Sequence, residues 1–204
     1  IIVYVMSLFE IHLKNWSYES VFKYLKTGFA QIDKEDISLL ENYVLANGIK
    51  GAKWKERWEY RIDDETDSLL IKERERQIIN KVNEIREKVY LPLEKFYAKF
   101  SHSRDVKEAC EVLYDFLLES KLPEKIEKVI EEFKEKGEFD TANQYAQIWD
   151  VVVDVLDQMV EVLGKEKISL EQFAKLISIG FDEYQIASIP PALDEVLVTS
   201  VDRM

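Results

Sequence analysis

Apolar residues recur at alternating steps of three and four along nearly the whole chain, the period of an α-helix with one buried face. The set Tyr145, Trp149, Val152, Leu156, Met159 and Leu163 draws the cleanest stripe. Ile71, Ile78, Val82, Ile85, Val89, Leu93, Phe96 and Phe100 draw a longer one, with Lys and Glu on the remaining faces. Shorter stripes pass through Val106, Cys110, Leu113 and Leu117, and through Ile126, Val129, Ile130 and Phe133. A turn-rich β protein is excluded, because 6 Gly and 4 Pro in 204 residues supply too few tight turns. The pattern predicts an all-α fold of about eight amphipathic helices in an irregular array. One short terminal β-strand is predicted at 195–201, after the break at Pro190 and Pro191.

Helix punctuation agrees with this period. Ser17 caps a helix that ends at Gly28, and Asp33 caps one that ends at Gly48. Ser169 and Gln172 have capping-box spacing, which predicts a helix that stops at Gly180. Gly137 and Gly164 stand at further helix ends, and Pro123 suits a first helical turn. Pro92 falls inside the long stripe. It lacks an N–H and crowds the preceding turn, so a kink or break is predicted near Tyr90 and Leu91.

Charge narrows the function classes. With 28 Lys+Arg against 40 Asp+Glu the net charge is −12, which argues against a general nucleic-acid binder, since such a protein must displace counterions with a basic face. The single Cys110 rules out an internal disulfide, a Cys-rich zinc site and a cysteine-ligated iron–sulfur cluster within this stretch. That cysteine usage fits a reducing compartment, and a cytoplasmic location is expected. No apolar run approaches the ~20 residues of a membrane span, so no membrane partner is expected. The first nine residues are apolar without a basic leader and do not read as a signal peptide. The stretch reads as the interior of a longer protein.

Motifs that carry chemistry are missing. A di-iron bundle requires Glu-x-x-His on two helices, but Phe9 and Lys99 stand three positions before His12 and His102. Neither a Gly-rich phosphate loop nor a G-x-S-x-G elbow occurs. Asp63-Asp64-Glu65-Thr66-Asp67 lacks the glycine and distal glutamate of a calcium loop and reads as helix N-terminal dressing. The carboxylates at 124–138 alternate with lysines at helix-surface spacing. No catalytic, cofactor-binding or metal-ligating residue is assigned.

One stretch departs from the acidic background. Residues 50–61 carry Lys50, Lys53, Lys55, Arg57 and Arg61 against Glu56 and Glu59, a local balance of +3. Trp54, Trp58 and Tyr60 are interleaved with these cations. Cations neutralise phosphates and indoles stack on unpaired bases, so Lys50, Lys53, Trp54, Lys55, Arg57, Trp58 and Arg61 are the candidate DNA-binding residues, on a loop or short irregular arm between helices. The competing reading is structural: the two indoles at i and i+4 pack on the core while the Lys and Arg stems extend outward.

Three strings carry a family resemblance. They are Ser17-Tyr18-Glu19-Ser20-Val21-Phe22-Lys23-Tyr24-Leu25-Lys26-Thr27-Gly28, then Leu39-Leu40-Glu41-Asn42-Tyr43-Val44-Leu45-Ala46-Asn47-Gly48-Ile49-Lys50-Gly51 followed by Trp54, then Ile189-Pro190-Pro191-Ala192-Leu193-Asp194-Glu195-Val196-Leu197-Val198 leading into Ser200-Val201-Asp202-Arg203. Together they resemble the B subunit of the AddAB-type (RexB-type) ATP-dependent helicase–nuclease of clostridium-like bacteria. The resemblance runs essentially end to end, although the helical middle, about 65–137, matches by no motif.

This resemblance implies that 1–190 is a helical 2B-type subdomain inserted in a RecA-like domain, and that 191–204 begins the returning RecA-like strand. It implies a parent that processes double-strand DNA ends for recombinational repair, with an AddA-type partner subunit. It also implies that the parent's ATP, magnesium and 4Fe–4S cluster lie outside this region, so this stretch would be non-catalytic: a scaffold and subunit contact. Guidance of DNA by the basic arm is a reading of these residues, not of the family. The alternative is an acidic all-helical interaction module with no DNA role, in which Trp54 and Trp58 are buried or sit in a protein contact.

Overall fold

The helix with the fewest polar residues lies at the centre of the molecule. The computed structural model describes residues 1–59 and 69–187. In chain order these form α1 (Ile2–Leu13), α2 (Tyr18–Leu25), α3 (Lys34–Asn47), a 3₁₀ turn (Gly51–Trp54), α4 (Leu69–Ser101), α5 (Val106–Glu119), α6 (Leu122–Glu135), α7 (Phe139–Leu163) and α8 (Leu170–Ala187). The fold is all-α, and no strand occurs among the described residues. The predicted strand at 195–201 and the predicted boundary at 190 lie outside them.

Because α1 is apolar on most of its faces, most of it must be covered by other helices, and only Val3 and the C-terminal residues His12 and Leu13 stay exposed. Tyr4, Val5, Leu8, Phe9 and Ile11 are fully buried. Helices α2 and α8 pack against α1. Helix α4 reaches it through Tyr97, whose hydroxyl donates to the Leu8 carbonyl at 2.6 Å. The Phe9 ring lies 6.2 Å from Phe96 of α4 and 5.8 Å from Phe173 of α8, both in edge-on geometry. Helices α5, α6 and α7 pack on one another, and α7 also meets α8. Burying one such side chain contributes roughly 1.5–3 kcal/mol, whereas an exposed ion pair such as Lys107–Glu111 is worth ~0.2–1 kcal/mol. The aromatic core therefore dominates stability.

Capping follows the sequence at Ser17, Ser169 and Gly48, whereas Asp33 stands at the N-cap of α3 without a side-chain capping bond and α2 stops at Leu25, short of the predicted Gly28. The Ser17 hydroxyl accepts from the Ser20 N–H at 3.3 Å. Ser169 and Gln172 form the reciprocal box: the Ser169 N–H donates to Gln172 Oε1 at 3.0 Å and the Gln172 N–H to Ser169 Oγ at 3.2 Å. Gly48 closes α3 in the left-handed conformation, at φ 56°. Asp105 caps α5 by accepting from the Glu108 N–H at 3.0 Å. None of the described helices is long and apolar enough to cross a membrane.

Three local expectations are corrected. Gly180 does not end a helix; α8 continues through it to Ala187. The absent side chain serves packing instead, since a Cβ at Gly180 would stand 2.6 Å from Val155 Cγ1 on α7. Pro92 does not break α4, which runs unbroken from Leu69 to Ser101. Pro92 is on an exposed face, while Val89, Leu93 and Phe96 around it are buried; tertiary packing carries the helix across the missing donor. Within the long stripe Ile78 is 40 % exposed and Ile79 takes the inward position. The described inward set then continues through Val82, Ile85, Val89, Leu93, Phe96 and Phe100.

Candidate nucleic-acid interface

The basic arm begins where α3 stops. After Gly48 the chain reverses and buries Ile49. Gly51 then turns at φ 58° and donates its N–H to the Trp16 carbonyl at 3.4 Å. A Cβ at Gly51 would lie 3.1 Å from Asn15 Nδ2, so both the conformation and the space call for glycine. The 3₁₀ turn that follows carries the Trp54 ring inward. Trp54 is fully buried, 5.9 Å from the Trp16 ring and 5.3 Å from Trp58. Trp58 is 5 % exposed, stacks on Tyr43 at 5.3 Å, and donates its indole N–H to the Lys53 carbonyl at 2.7 Å.

Two polar side chains of α4 lie beneath the arm. Asn83 uses both ends of its amide: Oδ1 accepts from the Trp58 N–H at 2.9 Å, and Nδ2 donates to the carbonyls of Trp58 at 2.8 Å and Ile79 at 2.9 Å. Arg86, only 4 % exposed, donates to the Trp54 carbonyl at 2.8 Å, to Asn83 Oδ1 at 3.3 Å and to Glu87 at 3.1 Å. Its guanidinium also lies 6.0 Å from the Trp58 ring centroid. A buried arginine is stable only with such partners, because an uncompensated charge in the interior is costly. Asn83 and Arg86 thus hold three backbone groups of the arm from below.

The cations face out. Lys50, Lys53, Lys55 and Arg57 are exposed, as are Glu56 and Glu59. Lys53 donates to the Gly48 carbonyl at 3.3 Å, Arg57 to Asn80 Oδ1 at 3.1 Å, and Lys55 lies 3.9 Å from Glu94. Six of the seven candidate residues lie in the described arm; Arg61 lies outside the described residues, as do Tyr60 and the acidic run at 63–67. The structure separates the six by role. Trp54 and Trp58 anchor the arm in the core and offer no ring face to a base, because the aromatic surface of Trp16 and Tyr43 occupies that space. Four cations remain on the surface.

Sequence reasoning missed Asn83, Arg86, Trp16 and Tyr43. Asn83 and Arg86 sit beside the apolar positions Val82 and Ile85, and nothing in their spacing separates them from ordinary surface residues of a charged helix. Elsewhere, His12 and His102 are exposed, His12 against Tyr97 at 4.7 Å between ring centroids. A cleft of about 600 Å³ between α2, α4 and α5 has Tyr4, Tyr24, Leu91 and Phe116 among its lining and shares no residue with the arm.

Fold and surface together define an acidic all-α fold with a cationic arm docked on α4. Over its whole length the chain is 86% identical to the B subunit of the ATP-dependent helicase/deoxyribonuclease of Caldanaerobacter subterraneus subsp. tengcongensis. It is 63% identical to the B subunit of Thermoanaerobacter pseudethanolicus and 52% identical to that of Clostridioides difficile, again across the full chain. The chain belongs to this family of helicase/deoxyribonuclease B subunits and spans 18% of the length of these relatives. No family model matches it.

Proposed function

We propose that this chain is a helical, non-catalytic part of an AddB-type subunit, in a cytoplasmic complex that hydrolyses ATP and processes double-strand DNA ends for recombinational repair. In this role it is a scaffold that packs against the motor-like core, meets an AddA-type partner subunit, and guides DNA along the arm at Lys50, Lys53, Lys55 and Arg57. ATP, magnesium and an iron–sulfur cluster would be held by other parts of the parent subunits. The observation that carries the DNA role is the arm's geometry. Its indoles are spent on anchoring, and its four cations point outward from a backbone that Asn83 and Arg86 hold still. A fixed row of cations neutralises phosphates without first being ordered, which makes the contact independent of base sequence.

Lys53→Glu, Lys55→Glu and Arg57→Glu combined in the full-length subunit, within its complex, test this. DNA-end affinity at low salt should fall about tenfold or more, and the slope of log K against log salt should become shallower by about 1 for each phosphate no longer neutralised. Unchanged affinity and slope would remove the DNA role and leave the scaffold. A second reading, an acidic protein-interaction module that does not touch DNA, is favoured by the burial of Trp54 and Trp58. Under that reading the same triple substitution weakens binding to a protein partner and leaves DNA affinity as it was.

A further inference from the structure

We infer that Asn83 and Arg86 are positioning residues for the cationic arm: from inside α4 they hold Lys53, Lys55 and Arg57 in one register, so that the arm meets a phosphate backbone already formed. The inference rests on the DNA reading above and adds residues that themselves never touch DNA. Their hydrogen bonds favour it over simple core filling. Asn83 takes the N–H and the carbonyl of the same residue, Trp58, which fixes the backbone on both sides of that residue rather than merely satisfying one group. Arg86 takes the Trp54 carbonyl, four residues earlier, and also donates to Asn83 Oδ1. The two anchors therefore flank Lys55 and Arg57 along the chain, and Trp58 adds a third tie by donating to the carbonyl of Lys53.

All these donors and acceptors are buried or nearly so, where hydrogen bonds are strong and an orphaned partner is costly. A second set of ties reaches the arm from the α1–α2 corner. The Gly51 N–H donates to the Trp16 carbonyl, and Asn15 and Trp16 both hold left-handed backbone angles, φ 47° and 53°, uncommon for residues with side chains. Such conformations persist where the surrounding structure over-determines them, and here the docked Trp54 lies against Trp16. Arm, corner and α4 form one unit. The cations inherit its rigidity, which lowers the ordering cost of meeting DNA.

The test separates order from charge. Asn83→Ala in the full-length subunit, within its complex, keeps every surface cation. It should speed amide hydrogen exchange at Trp58 and lower DNA-end affinity about fivefold, with the salt slope unchanged because the number of phosphates neutralised is unchanged. Arg86→Lys, which keeps the charge but not the forked geometry, should give a smaller loss of the same kind, and far-UV circular dichroism checks that either variant is folded. If Trp58 exchange speeds up while affinity holds, the positioning role is overturned and the DNA role stands, provided the triple charge reversal still weakens binding. If the charge reversal also has no effect, the DNA role itself has failed. A shallower slope with Asn83→Ala would mean that some cations no longer reach the DNA once their anchor is gone, which also supports positioning.

Discussion

Gly180→Ala should destabilise this protein, against the usual rule for glycine inside a helix. In an ordinary helix interior that exchange gains about 1 kcal/mol, because alanine loses less backbone freedom on folding. Here the new Cβ would stand 2.6 Å from Cγ1, 3.2 Å from Cγ2 and 3.5 Å from Cβ of Val155. Ordinary van der Waals separation begins near 3.4 Å, so Cγ1 must retreat by several tenths of an ångström. Val155 is 2 % exposed and lies on α7, and a β-branched side chain in a helix has one strongly preferred χ1, so rotation offers little relief. The helices must separate instead. Overpacking of this kind costs about 1–3 kcal/mol, which exceeds the propensity gain and leaves a net loss of about 1 kcal/mol.

A double-mutant cycle isolates the cause. Val155→Ala alone should cost about 2 kcal/mol through its cavity. In that background Gly180→Ala should become stabilising by about 1 kcal/mol, for a coupling near 2 kcal/mol. Urea denaturation followed by helix circular dichroism measures all four proteins, and each 1 kcal/mol should also move the melting temperature by about 2–4 °C. If Gly180→Ala stabilises the parent protein as much as it stabilises the Val155→Ala variant, α7 and α8 do not meet in the way described.

Trp54→Ala should cost about 3–5 kcal/mol because the ring is fully buried. Trp54→Phe should cost less than half of that, since the Trp54 indole N–H has no hydrogen-bond partner among the described residues and its removal orphans nothing; equal losses in the same denaturation assay would contradict this. Cys110 is buried, and burial first, then the carboxylates of Asp157 and Glu111, push its thiol up to about 12. A neutral thiol is not a nucleophile, so native protein at pH 8 should resist thiol reagents and react only after unfolding; native labelling at the rate of a free thiol would refute it. The same shift makes the folded state the better proton binder. Its contribution to stability is full below the unfolded thiol value near 9 and is lost as pH rises from there to about 12; Cys110→Ala should flatten part of that alkaline loss in pH-dependent denaturation. Pro92→Ala should stabilise α4 by about 1–3 kcal/mol, because the residue is exposed and its ring removes an interior hydrogen bond; a lowered melting temperature would show that the proline is needed where it stands.

What the linear chain determined was everything written at short range. The three–four period and the caps at Ser17, Gly48 and Ser169 place helices without reference to the rest of the molecule, since a helix satisfies its backbone within itself and marks its ends nearby. The resemblance strings pointed to the family that identity over the whole of this chain then showed. The +3 arm stood out in an acidic chain from charge alone. Tertiary structure decided what those features are for. Gly180 has the signature of a helix end until α7 is laid against it. Pro92 has that of a break until the core closes around Val89 and Leu93. Trp54 and Trp58 suit a base as well as a core until Trp16 and Tyr43 are seen to occupy their faces. Asn83 and Arg86 are ordinary polar residues on a charged helix until a loop 25 to 32 residues earlier lands on them. Burial depends on which distant segment arrives, and that is set by the balance of packing over the whole molecule rather than by the spacing of neighbours.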